Sequence, residues 1–423
     1  MAFIIPKPVF TSEIKKQIAV FVASTIRPLS ASFSLLHRNY DYVRRAMREL
    51  MEQDVLTYTK DQPRAVRFTP WGLERLREEM PMAYDYYMVI SNGNNPGSGK
   101  AHHLLMRRQG DVQSCMMAAK VQIGGERPLL SKTALEDSAK TPLSAPVYLP
   151  TKEIKAIKNE ISMQKNGIKV AQNREQISRA SGILFSPVMD ALVYDIVGDE
   201  GMRVYKSVEM KMQSQIKSMK ITLWRMRPES EIITHCIAFY GDEQRVLSAI
   251  ETYRRPDKKK PQNQTKPQKS EQKMTAEQEK ALKALRDRTT IYRAMTDISE
   301  WPRTSFHLLP NNEYGAWCLW LLTDNTEKEI YEAVTRTDDG KRMNIEYRNG
   351  VLYVQGKEPC EYLTCRIRAL DSARKKQKTS GSNEPVTVLC WPHQTDFVSR
   401  FFDETPCEII EISLNDVTVE LLI

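Results

Sequence analysis

Residues 29–79 read LSASFSLLHRNYDYVRRAMRELMEQDVLTYTKDQPRAVRFTPWGLERLREE, and the order of their parts decides the fold. Ser30–Leu36 predicts a short helix, His37–Asn39 a turn and Tyr40–Gln53 a longer helix. Val55–Phe68 then alternates like two short strands around the polar stretch Lys60–Arg64. In the long helix Tyr40, Val43, Met47, Leu50 and Met51 fall on one apolar stripe. Arg44, Arg45 and Arg48 point elsewhere, because a buried face does not tolerate their guanidinium groups. Phe68–Leu73 opens a closing helix, with Thr69 as N-cap and Pro70 at the first helical position. Helix, turn, helix, hairpin and closing helix in series are the parts of a winged helix-turn-helix. A recognition helix divided in this way packs one side on its partner and offers the other to phosphates and guanine edges. The expected DNA contacts are Tyr40, Tyr42, Arg44, Arg45 and Arg48 on the helix, with Lys60, Arg64 and Arg67 on the wing. The plainer alternative is a helical hairpin whose arginines form a solvated face.

The composition fits that expectation. A chain of 423 residues holds two or three domains, and 27% charged with 41% hydrophobic residues is the balance of a globular protein. A formal charge of +9 favours an anionic partner, nucleic acid ahead of membrane. No apolar run approaches the roughly 18 residues that a spanning helix needs. The opening Met1–Lys7 is too short and too early broken by Pro6 for a secretory signal. The seven cysteines are odd in number and scattered, and the closest pair, Cys360 and Cys365, lacks metal-site spacing. A cytoplasmic location is the expectation.

Along the chain, Thr11 or Ser12 caps a first helix with Ile14, Ile18, Phe21 and Val22 inward. The expected divisions are 1–82 for the winged helix, 83–145 for a connector with a helix and 146–253 for the first part of an α/β core. A basic linker at 254–274 and a second α/β part at 275–423 follow. Gly97-Ser98-Gly99-Lys100 is a decoy: a phosphate-binding loop needs Gly where Asn94 stands and Ser or Thr where Ala101 stands. His102 and His103 adjoin on a helix and point about 100° apart, so they do not ligate one metal. In the α/β region Pro146–Lys155 predicts a short strand and a helix start, with Thr151 as cap. Ser178–Phe185, entered through Gly182, Ala191–Val197 and Arg203–Lys211 predict three more strands, and Ile232–Tyr240 another apolar run. Asp242–Tyr253 and Thr275–Ser299 read as helices, and Ala373–Glu384 as a loop. At the end, strand Val386–Trp391, helix Thr395–Phe402 and strand Cys407–Ser413 suggest completion of the same sheet.

The order of these parts resembles the winged-helix proteins of the replication-relaxation type, carried by integrative conjugative elements and plasmids of Gram-positive bacteria. The shared wording is Val147-Tyr148 with Lys152–Lys155, Ser178-Arg179 with Gly182, Val193-Tyr194, Glu209-Met210-Lys211 and the strand Val386–Trp391. The resemblance implies a winged helix followed by a mixed α/β domain related to the restriction-endonuclease fold. It also implies double-stranded DNA as partner, and work in conjugative transfer, plasmid replication or transcriptional control. Other conjugation or replication proteins and a second copy of the chain are compatible partners.

Endonucleases of that fold hold Mg²⁺ between an Asp on one strand and an acid two residues before a Lys on the next. Asp195, Glu209 and Lys211 are the candidates, since Glu209 and Lys211 share a strand face. Asp190 rivals Asp195, and Glu153 at a helix start has the simpler role of favouring the helix dipole. A Mg²⁺-dependent nuclease is thus one alternative to a DNA-binding protein without catalysis, and a protein-interaction adaptor is another. Mg²⁺ enters only with the nuclease, and the expectation is that the chain does not cut DNA.

Overall fold

The computed structural model describes residues 7–60, 64–91, 100–123, 143–151, 180–195, 234–241 and 304–325. It also describes 153–154, 216, 329, 333, 345–348, 351–354, 359–360, 386–392, 395–402, 407–411, 413, 415 and 417–418. Helix α1 (Glu13–Thr25) starts at Ser12, whose hydroxyl accepts from the Lys15 amide, and is buried along most of its length. A 3₁₀ turn at Ser30–Leu35 takes the place of the first short helix of the motif. Helix α2 (Tyr40–Glu52) is capped by Asn39, whose side chain accepts from the amides of Asp41 and Tyr42. It ends with Asp54 at φ 55°, so that Asp54 N donates to Met51 O and Val55 N to Leu50 O. That closure satisfies the last carbonyls of the helix and turns the chain into β1.

Strands β1 (Leu56–Tyr58) and β2 (Val66–Phe68) form an antiparallel hairpin, and Leu29 bridges Ala65 as a third short strand. Helix α3 (Pro70–Glu79) begins as the sequence predicts: Thr69 accepts from Gly72 N with Pro70 at the first position. Helices α4 (Pro81–Ser91) and α5 (Lys100–Ala118) follow. The core of this region is aromatic and aliphatic, with Phe21 and Phe33 edge-to-face at 5.0 Å.

Buried polar contacts fasten α5 to α1 and the 3₁₀ turn. Ser24 Oγ donates to Gln113 Oε1 at 2.8 Å, and Ser32 Oγ to Asp111 Oδ1 at 3.0 Å. Gly110 permits the approach, since a Cβ there would lie 2.7 Å from Ser32 Oγ and 3.0 Å from Ser32 Cβ. Gly110→Ala is expected to cost about 1–3 kcal/mol by overpacking, read as a lower urea midpoint at unchanged slope. An unshifted midpoint would mean that Ser32 yields at no cost.

The chain divides into two compact units. The first comprises Met1–Asp195, Ser207–Phe239 and Asn311–Thr326, and the second Ile196–Lys206, Tyr240–Pro310 and Glu327–Ile423. In the first unit β3 (Val147–Pro150), β4 (Gly182–Phe185), β5 (Asp190–Asp195) and β6 (Thr234–Tyr240) lie side by side in that order. The first two pairings are antiparallel and β5 with β6 is parallel. Every residue of β3, β4 and β5 is buried, the signature of a sheet covered on both faces. Thr151 departs from its expected part as a cap: its hydroxyl donates to the carbonyls of Ala180 and Ser181, stapling the end of β3 to the start of β4. Helix α6 (Glu313–Asp324), capped by Asn312, completes the described part of this unit.

In the second unit β7 (Thr304–Pro310) precedes an antiparallel set in which β9 (Val351–Val354) pairs with β8 (Ile345–Arg348) and β10 (Pro359–Cys360). Strand β11 (Val386–Cys390), helix α7 (Thr395–Phe401) and strand β12 (Cys407–Glu411) end it. The strand-helix-strand pattern is present, but it corrects the expected sheet. Among the described residues β11 and β12 pair in parallel with each other in a two-stranded sheet, from Val386↔Cys407 to Cys390↔Glu411. Thr395 Oγ1 donates to Glu411 Oε1 at 2.9 Å, so the crossover helix closes on its own strand pair.

The protein is therefore mixed helix and sheet with a mixed sheet. Among the described residues no helix is long and apolar enough to cross a membrane. The expected strand 203–211, the helices 242–253 and 275–299, the linker 254–274 and the loop 373–384 lie outside the described residues.

Candidate nucleic-acid interface

Helix α2 separates its faces by residue type. Val43, Ala46, Met47 and Leu50, at spacings of three and four, are buried. Arg44, Arg45 and Arg48 stand exposed on the other side. Tyr40 corrects the expected stripe: it is 39% exposed, with the Arg44 guanidinium over its ring at 6.0 Å, and Ala46 takes the inward place. Met51 is only half-buried. Tyr42 is 41% exposed, its ring edge-to-face with His37 at 5.2 Å. Arg44 also lies 3.6 Å from Asp41, but both side chains are more than half exposed and such pairs hold weakly.

The buried side of α2 is fixed from α1. Lys15 Nζ lies 2.9 Å from Glu49 Oε2, and it holds the Glu49 carboxyl below the usual glutamate range. Lys15 is almost fully buried, so this cation belongs to the packing and not to the exposed basic face.

On the hairpin Lys60, Arg64 and Arg67 are exposed. Strand β2 alternates as a half-buried strand should, with Val66 and Phe68 in and Arg67 out. Burial pushes the Tyr87 hydroxyl on α4 above its usual range, partly offset by the guanidiniums of Arg27 and Arg67. Arg67 is thus within electrostatic reach of α4. Tyr58 is the member that sequence reasoning missed: it is 39% exposed at the end of β1, with the Arg64 guanidinium 5.9 Å above its ring. The signal was present in the polar turn that follows it, since a tyrosine at the outer end of a short strand has little core to enter.

A second cationic group faces inward. Arg75 is buried between Glu78, at 2.6 Å, and Glu79, and its guanidinium lies 5.6 Å from the Trp71 ring. Glu79 also accepts from the amides of Val9 and Phe10, which fastens the N-terminal segment to α3. These charges hold structure and are withdrawn from any ligand.

Of the nuclease candidates, the described residues include Asp190 and Asp195. Asp190 and Asp195 are each 2% exposed within β5. Gly182 lets the Tyr148 ring lie across the sheet, since a Cβ would sit 2.5 Å from its hydroxyl. Burial, and next the nearby Asp195 carboxylate, push the Tyr148 hydroxyl above its usual range. Glu209 and Lys211 lie outside the described residues. Strand β5 pairs with β4 over Asp190–Val193 and with β6 over its whole length. Glu153 serves otherwise than at a helix dipole alone: it is buried and accepts from Tyr86 Oη at 2.6 Å. Among the described residues no group of three His, Cys, Asp or Glu side chains is placed to hold a metal ion.

No protein-family model, curated protein or solved structure matches the chain.

Proposed function

We propose that this chain is a DNA-binding protein in which residues 29–79 act as a winged helix-turn-helix. The observation that carries the reading is the division of α2, with Val43, Ala46, Met47 and Leu50 buried and Arg44, Arg45 and Arg48 exposed. The hairpin after it adds Lys60, Arg64 and Arg67 on consecutive elements. Double-stranded DNA is the partner, with α2 in the major groove and the wing on the backbone. The likeness to replication-relaxation proteins supports a setting in a mobile element, in transfer, replication or transcriptional control. The α/β part then serves as a scaffold or docking surface for other proteins of that element, on an architecture related to the restriction-endonuclease fold.

The test is duplex binding over a range of salt. Each phosphate neutralised contributes about −0.9 to the slope of log K against log salt, so six such contacts give a slope near −5. Replacing Lys60, Arg64 and Arg67 with Ala should weaken binding to all sequences alike and flatten that slope by about 3. A variant with altered sequence preference at an unchanged slope would take the wing off the backbone. Salt-insensitive association with proteins and none with duplex would favour the adaptor.

A further inference from the structure

Among the described residues six large apolar side chains remain exposed, and Tyr40, Tyr42 and Tyr58 are three of them. All three sit on α2 and β1, the elements that carry the basic side chains. A surface that only neutralised phosphates would need cations without rings. Two of the rings instead lie under a guanidinium, Tyr40 under Arg44 at 6.0 Å and Tyr58 under Arg64 at 5.9 Å. Both arginines are exposed, so the stacks are shallow and exchange readily for other partners. Moving either guanidinium to a phosphate uncovers an aromatic face. A closed duplex keeps its base faces stacked and offers only edges, whereas an unpaired base presents a face that stacks on an aromatic ring.

We propose that the surface formed by α2 and the hairpin prefers duplex DNA with a locally unpaired segment, with Tyr40 and Tyr58 stacking on unpaired bases while Arg44 and Arg64 turn to phosphates. The proposal rests on the DNA-binding reading and names its substrate more narrowly. It is tested on the full chain by fluorescence anisotropy at one salt concentration. Three probes are used: a closed duplex, the same duplex with a central run of mismatched bases, and the isolated strand. The expected result is roughly tenfold tighter binding to the mismatched duplex than to either other probe. The double variant Tyr40→Leu/Tyr58→Leu should bring the mismatched duplex down to the closed-duplex affinity, and Tyr40→Phe/Tyr58→Phe should keep the preference. Equal binding of closed and mismatched duplexes overturns the proposal and leaves DNA binding standing. A preference that survives the leucine variant, or an isolated strand bound as well as the mismatched duplex, also overturns it. Absence of binding to all three probes would sink the DNA-binding reading itself.

Discussion

Glu79→Ala is expected to destabilise the protein by about 3–5 kcal/mol, more than any exposed substitution discussed above. The carboxylate accepts from Val9 N and Phe10 N, with contacts of 2.9–3.0 Å, and pairs with Arg75. Arg75 is 4% exposed and its Nε already lacks a hydrogen-bond partner. Removing Glu79 leaves that guanidinium with Glu78, which is half exposed, and the carbonyl of Lys7. A buried charge that loses its partner is costlier than a surface pair is valuable. Chemical denaturation of the full chain checks this through the midpoint of unfolding.

The same residue gives a pH signature. Burial raises the Glu79 pKa, but the amides of Phe10 and Val9 and the Arg75 guanidinium outweigh it, and the net direction is down. A carboxyl depressed in the folded state contributes its full stability above the unfolded glutamate pKa. That contribution is lost as pH falls through the lower, folded value. Glu79→Gln should therefore be less stable than wild type at neutral pH and converge on it in acid. Parallel curves would show that another carboxyl governs the acid limb.

Arg44→Ala with Arg45→Ala is expected to have the largest effect on DNA affinity. If both read bases the loss is about 1–3 kcal/mol for each, and less where the contact is to phosphate. Both side chains are exposed and stand outside the apolar stripe, so the variant should keep its fold and its circular dichroism. Lysine at the same positions separates the two modes, because it keeps the charge but loses the planar fork that matches guanine. Affinity unchanged in the folded alanine variant would remove α2 from the interface.

What the sequence disclosed of this region was local. Thr69 and Pro70 mark the start of α3 through the chemistry of their own side chains, and the arginine spacing on α2 fixes its inward side. Tyr40 was misplaced because a tyrosine satisfies an apolar period as well as leucine does. Its ring instead lies outside the core, 39% exposed with the Arg44 guanidinium over it one turn away. The parallel neighbour of β5 could not be read from local spacing, since it comes from a segment some forty residues later. The C-terminal strands show the same limit: strand-helix-strand is legible, but which sheet receives it is not. The seat of α5 depends on Gly110 meeting Ser32, a contact across 78 positions that no window of sequence contains.

That seat has a practical consequence for anyone cutting the protein into pieces. The side of α1 that carries Phe21 and the turn that carries Phe33 are roofed by α5, whose Gln113 and Asp111 satisfy Ser24 and Ser32. A fragment ending at residue 82 would lack that roof, and its wetted phenylalanines and stranded hydroxyls would drive it towards aggregation. Beyond α5, Gln122 N donates to Pro146 O and Tyr148 N to Gln122 O, which sews the end of this region to the edge of the β3 sheet. An expression product that keeps α5 keeps that roof, and one that also keeps the seam carries β3.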